Sequence, residues 1–114
     1  MQYLIQIYGG DSMEAWEALA EPEQEAVMGE YLAISNTPGV IGGQQLQPAA
    51  TATTIRVRDG LTLTTDGPFA ETKEALGGYY LFEVEDIDAA IELAARIPAA
   101  RLGGAVEIRP VVQR

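Results

Sequence analysis

The chain of 114 residues contains no histidine and no cysteine. Without cysteine there are no disulfides, thiolate metal sites or cysteine nucleophiles. Without histidine the usual general base near neutral pH is missing, with the commonest metal ligand and any Ser-His-Asp triad. Chemistry would have to come from carboxylates, Lys73, tyrosines or an external cofactor. No phosphate loop, dinucleotide fingerprint, zinc spacing or EF-hand is present, so neither a cofactor nor a metal is expected. Cations are also scarce. Seven Lys and Arg face seventeen Asp and Glu, a net charge of −10. Such a surface repels a phosphate backbone, which argues against direct nucleic-acid binding. No apolar run is long enough to span a membrane, and Met1-Gln2-Tyr3-Leu4-Ile5 lacks the basic start of a secretory signal. The expectation is a soluble cytoplasmic protein forming one domain over residues 1–114.

Hydrophobic residues make up 47% of the chain, and their spacing predicts both strands and helices. Gln2 to Tyr8 reads as a strand that is apolar on both faces, hence central. Asp11 or Ser12 can cap a short helix carrying Met13, Trp16 and Leu19. Pro22 suits the first turn of a second helix, with Val27, Tyr31 and Ile34 on one side and Met28 and Leu32 alongside. Val40 to Leu46, weakened by Gly42-Gly43, predicts an edge or irregular strand. Thr53 to Arg58 and Leu61 to Thr65 flank Asp59-Gly60, a strong hairpin signal. Gly78 to Glu85 is the next strand. Asp86 caps a helix with Ile87, Ala90, Ile91 and Ala94 on one stripe. A last strand runs from Ala105 to Val112. The order predicts an α+β fold of the ferredoxin-like plan, with helices on one face of an antiparallel sheet. Its other face would carry Tyr79 and Leu81, an apolar patch that a homodimer would cover.

The least generic stretch is Asp66-Gly67-Pro68-Phe69-Ala70-Glu71-Thr72-Lys73-Glu74, followed by Gly77-Gly78-Tyr79-Tyr80. Together with Gly103-Gly104-Ala105-Val106-Glu107-Ile108-Arg109-Pro110 it resembles the YCII-related family, in the branch named for its Asp-Gly-Pro-Phe motif. The resemblance implies a ferredoxin-like subunit that pairs into a dimeric α+β barrel. It also implies a fold similar to muconolactone isomerases and small cofactor-free monooxygenases. Members of the branch are often encoded beside extracytoplasmic-function sigma factors. The His-Asp pair placed in a cleft of some relatives cannot be carried over to a chain without histidine. Asp66 is the one acidic motif residue that carries across by position.

Turn chemistry alone accounts for Asp66, since Asp before Gly-Pro accepts backbone N–H bonds. Its catalytic reading is a carboxylate base at the mouth of a dimer cleft, which would need partial desolvation. Lys73 and Thr72 could hold an anionic ligand, with surface ion pairing and helix capping as their plainer roles. Arg56, Glu83, Glu107 and Arg109 could share the open sheet face with Gln6. There they would form either a paired network or an arginine-lined pocket for a small carboxylate. Tyr79 could line the same cleft. Three functions follow as expectations. The first is a homodimer holding a small, anionic organic molecule between the sheet and the Asp66 loop. The second is an isomerase- or oxygenase-like enzyme with Asp66 as base. The third is a regulatory partner of a sigma factor.

Overall fold

In the computed structural model, which describes residues 1–9, 12–69 and 75–114, the first apolar stretch becomes strand β1 (Gln2–Tyr8). It is followed by α1 (Ser12–Glu17), α2 (Glu21–Ser35), β2 (Val40–Gln45), β3 (Thr53–Arg58) and β4 (Leu61–Asp66). Then come β5 (Leu76–Glu83), α3 (Ile87–Ala94) and β6 (Ala105–Pro110). Four strands form an antiparallel sheet in the order β2-β5-β1-β6. With the β3–β4 hairpin set aside, this is the strand order of the ferredoxin-like β-α-β-β-α-β plan. β1 is central, as its two apolar faces predict, and β2 is an edge strand with an irregularity between Val40 and Gly42.

The helices pack on one face of this sheet. Alternation sends Tyr3 and Ile5 of β1 and Tyr80 and Phe82 of β5 to that face, where all four are buried. Val27 and Ile34 of α2 are buried as well, and α3 contributes Ala90, Leu93 and Ala94, with Ile97 just beyond it. Side chains also tie the layers together. The Tyr80 hydroxyl donates to the Tyr31 carbonyl at 3.1 Å, and the Gln24 amide donates to the Trp16 carbonyl at 3.0 Å. Arg101 bonds Glu30 at 2.6 Å on the surface. The Asp86 carboxylate accepts from the Ala89 N–H at 2.9 Å and caps α3, as predicted. Asp11, the other predicted cap, lies outside the described residues.

Three expectations are corrected. Ile87 and Ile91 are exposed; α3 turns its 90, 93 and 94 positions inward, about one position round from the predicted stripe. The last strand ends at Pro110, short of the predicted Val112, which is exposed. Most consequential is the hairpin. β3 and β4 form a two-stranded sheet of their own, and every residue of it except Thr54 is exposed. The hairpin turns at Asp59-Gly60 as predicted, and these two residues take φ of 51° and 76°, the left-handed pair of a type I′ turn. The Cα radius of gyration is 16.1 Å, above the roughly 13 Å of a globule this long, because the hairpin projects as an arm.

Truncating the core where the layers meet tests this arrangement. Ile5→Ala should lower the free energy of unfolding by about 2–5 kcal/mol, read from urea midpoints. A second test uses Tyr31, whose phenol burial pushes above its ordinary 10.0, with the Tyr80 and Glu30 charges adding to the rise and Ala99 and Arg101 opposing it. A raised folded-state value favours the neutral phenol. Its contribution is therefore fully present below the unfolded value and lost as pH rises through the folded one. Stability should fall as pH rises past the ordinary phenol value of 10.0 and on through the raised folded one, and Tyr31→Phe should flatten that fall.

Candidate functional site

The sheet face away from the helices is the surface on which the fold gathers polar side chains among apolar ones. Strand pairing sets Gln44 beside Tyr79, Tyr79 beside Gln6, and Gln6 beside Glu107. Residues directly opposite in antiparallel strands share a face, so these four make one polar row across the full width of the sheet. The next row is Gly42, Leu81, Leu4 and Arg109. On the other side lie Leu76, Tyr8 and Ala105. A polar band thus runs between two largely apolar ones, with Arg109 at one corner.

Gln6 is the centre of the band. Its amide nitrogen donates weakly to the Tyr8 hydroxyl at 3.3 Å. Its Oε1 is buried and has no hydrogen-bond partner among the described residues. Turning the amide over would exchange which end is bonded without removing the deficit. A buried amide end without a partner costs about 1–3 kcal/mol, so the position is unfavourable for the isolated subunit. Strand alternation alone marks Gln6 as polar within an apolar strand. Gln44 was not legible as its companion, because the irregularity after Val40 decides which way β2 faces.

The predicted site residues separate. Arg109 and Tyr79 share this face, on strands either side of β1. Arg56 does not join them: it is on the hairpin, with its guanidinium 4.8 Å from the centre of the Phe69 ring. Glu83 is on the sheet but faces the N-terminal amine at 3.6 Å. The expected four-residue charged network therefore does not assemble within one subunit. Asp66 is exposed at the end of β4, paired in register with Thr53. The next residue, Gly67, is tied across the base of the hairpin. The Gly67 N–H donates to Ala52 at 2.7 Å, and the Thr54 hydroxyl donates to the Gly67 carbonyl at 2.9 Å. Gly67 has φ of 103°, which is why glycine stands there. Thr72 and Lys73 lie outside the described residues. Among the described residues no group of three or more carboxylates gathers as a metal site would need, and no helix is long and apolar enough to cross a membrane.

A separate depression of about 240 Å³ lies beside the β2 edge, lined by Ser35, Val40, Ile41, Gly42, Gly43 and Tyr80. It holds neither Asp66 nor an arginine.

The fold, the motif turn and the last strand can now be set against known proteins. A YCII-related domain matches residues 1–114. The chain belongs to the YCII-related family. An uncharacterized protein of Rhizobium meliloti (strain 1021) is 35% identical to it, over 97% of this chain and 92% of the relative's own length. A family match over the full length takes in the hairpin and the Asp66 turn as well as the four-stranded sheet.

The orphaned amide makes a stability prediction for this family member. Gln6→Leu removes the unsatisfied oxygen and keeps most of the volume, so it should raise the unfolding free energy by about 1 kcal/mol. A fall in the melting midpoint would show that Gln6 is satisfied in the native protein.

Proposed function

We propose that this YCII-related protein is a homodimer that holds a small polar organic molecule on the open face of its four-stranded sheet, over the Gln6 row. The single observation that carries this is the buried Gln6 Oε1 without a partner. With the Gln6 side chain turned outward, a ligand with an N–H or O–H donor would satisfy it, and Tyr79 and Glu107 flank it in register. Arg109, one row away, suits a carboxylate on the same molecule. Leu4 and Leu81 would pack on its apolar part.

A second sheet is the natural cover. The molecule measures 50 × 40 × 19 Å, the thickness of two layers, so the face opposite the helices has no layer of its own. Two such faces packed together would enclose the polar rows and keep Leu4, Leu81 and Tyr79 from water, as in a dimeric α+β barrel. The anionic ligand expected from the arginines keeps Arg109 and loses Arg56, which belongs to the hairpin. Asp66 is not near this row in register, which favours a binding role over carboxylate-base catalysis.

Light scattering at micromolar concentration should give twice the 12.2 kDa chain mass, and Leu81→Arg should reduce it to one. Amide chemical shifts recorded against a panel of small hydroxy- and amino-carboxylates should move at Gln6, Tyr79, Glu107 and Arg109. Shifts confined to the depression beside Ser35 and Ile41, or none at millimolar ligand, would overturn the binding reading.

A further inference from the structure

The β3–β4 hairpin has no function in the site just described, and its composition does not suit free solution. β3 and β4 pair with one another, and neither packs substantially on any other described element. An isolated two-stranded hairpin is marginal in water at best. This one leaves Ile55 63%, Val57 66%, Leu61 66% and Phe69 74% exposed. Both of its faces carry apolar residues. Register puts Ile55 and Val57 with Thr64 and Thr62 on one face, and Arg56 and Arg58 with Leu63 and Leu61 on the other. The second face, a row of arginines beside a row of leucines, is the one with a matching surface elsewhere in the chain.

That surface is the outer flank of α2. Its inward side is Val27 and Ile34, both buried. Met28 and Leu32 point elsewhere, 53% and 64% exposed. At 3.6 residues per turn, positions 21, 25, 28 and 32 fall on one stripe. It reads Glu21, Glu25, Met28, Leu32: acidic at the N-terminal end and apolar towards the C-terminal end. Beyond Leu32 it continues past Ser35 to the depression at the β2 edge, where Ile41 is exposed.

Charge separates the two surfaces further. Residues 53–69 hold two of the seven cations, Arg56 and Arg58, and two of the seventeen acids, Asp59 and Asp66. The arm is therefore neutral, and the other five cations and fifteen acids leave the whole −10 on the rest of the chain. Two acidic bodies repel each other. A neutral arm that presents arginines is the part of one body suited to approach the acidic helix of another.

We infer that the hairpin is an exchanged arm: each copy lays the Arg56, Arg58, Leu61 and Leu63 face of its β3–β4 hairpin on the Glu21, Glu25, Met28 and Leu32 stripe of α2 in a second copy. Six residues of strand reach about 20 Å, enough to pass the edge of a partner packed sheet to sheet. The leucines cover Met28 and Leu32, and the arginines meet Glu21 and Glu25. The contact is reciprocal, so a two-fold pair uses it twice. The inference rests on the self-association proposed above and adds a second contact to it.

The cysteine-free chain permits a direct test. Full-length Leu63→Cys and Leu32→Cys proteins are mixed and treated with a short bismaleimide, with Leu81→Cys as the separate reporter of sheet-to-sheet pairing. The Leu63–Leu32 cross-link should dominate over Leu63–Leu63, and Arg56→Glu with Arg58→Glu should abolish it. That arm variant should self-associate at least tenfold more weakly at low salt. Mixing it with Glu21→Arg, Glu25→Arg protein should restore association. Circular dichroism melts of each variant at high dilution confirm that the four-stranded body stays folded. A Leu81–Leu81 cross-link without the Leu63–Leu32 one overturns the arm and leaves the sheet dimer. The Leu63–Leu32 cross-link without the Leu81 one keeps the arm and removes the sheet dimer. Wild-type chain that stays monomeric at all concentrations overturns both.

Discussion

The structure depends on the position of one strand. β1 is hydrogen-bonded on both sides, to β5 and to β6, so its residues cannot slip without breaking two ladders at once. A one-residue slip would also carry Tyr3 and Ile5 out of the core and turn Leu4 and Gln6 into it. The helices can cover only the Tyr3 and Ile5 face. Everything on the other face, including the Gln6 row, is fixed in place by a core to which it does not itself contribute. This is how a polar row with an unsatisfied oxygen can persist: the apolar burial behind it, Ile5 and Phe82 above all, offsets its cost.

The second constraint is the mismatch between the amount of apolar surface and the number of layers available to bury it. Two layers cover Tyr3, Ile5, Tyr80 and Phe82. They leave Leu4 and Leu81 on the open sheet face, Met28 and Leu32 on α2, and the whole of the hairpin outside. These residues fall into surfaces with different characters. The sheet face carries polar groups in register between apolar rows. The hairpin is narrow and two-sided, the form of an arm. α2 has a weak overall amphipathic contrast because it is apolar on its inward side and again along the flank with Met28 and Leu32.

The Asp66 motif changes meaning within this frame. Asp66 is exposed at the base of the arm, and the Gly67 N–H and the Thr54 hydroxyl tie Gly67 to the opposite strand and the residue before it. What the motif secures is the direction in which the chain leaves the hairpin. Gly67 at φ 103° and the ring of Pro68 hold that exit, and Phe69 lies beneath the Arg56 guanidinium. Among the described residues, Asp66 to Phe69 shape the base of the arm.

Much of this was legible along the chain. The apolar character of both faces of Gln2–Tyr8 predicted a central strand, Asp59-Gly60 predicted the hairpin, and Asp86 predicted the cap of α3. Each of these depends on neighbours within a few residues, where local sterics and hydrogen bonding decide. The absence of histidine and cysteine determined, without any structure, which kinds of chemistry were closed. Tertiary structure alone decided the rest. Whether β3 and β4 join the main sheet depends on edges far away in sequence, and they do not join it. Whether Arg56 and Arg109 meet depends on the same choice, so they lie in different sheets. The companions of Gln6 come from three other strands whose register no local pattern encodes. Side-chain facing is a property of one strand, but a site is a property of several, and only their packing brings them into one row.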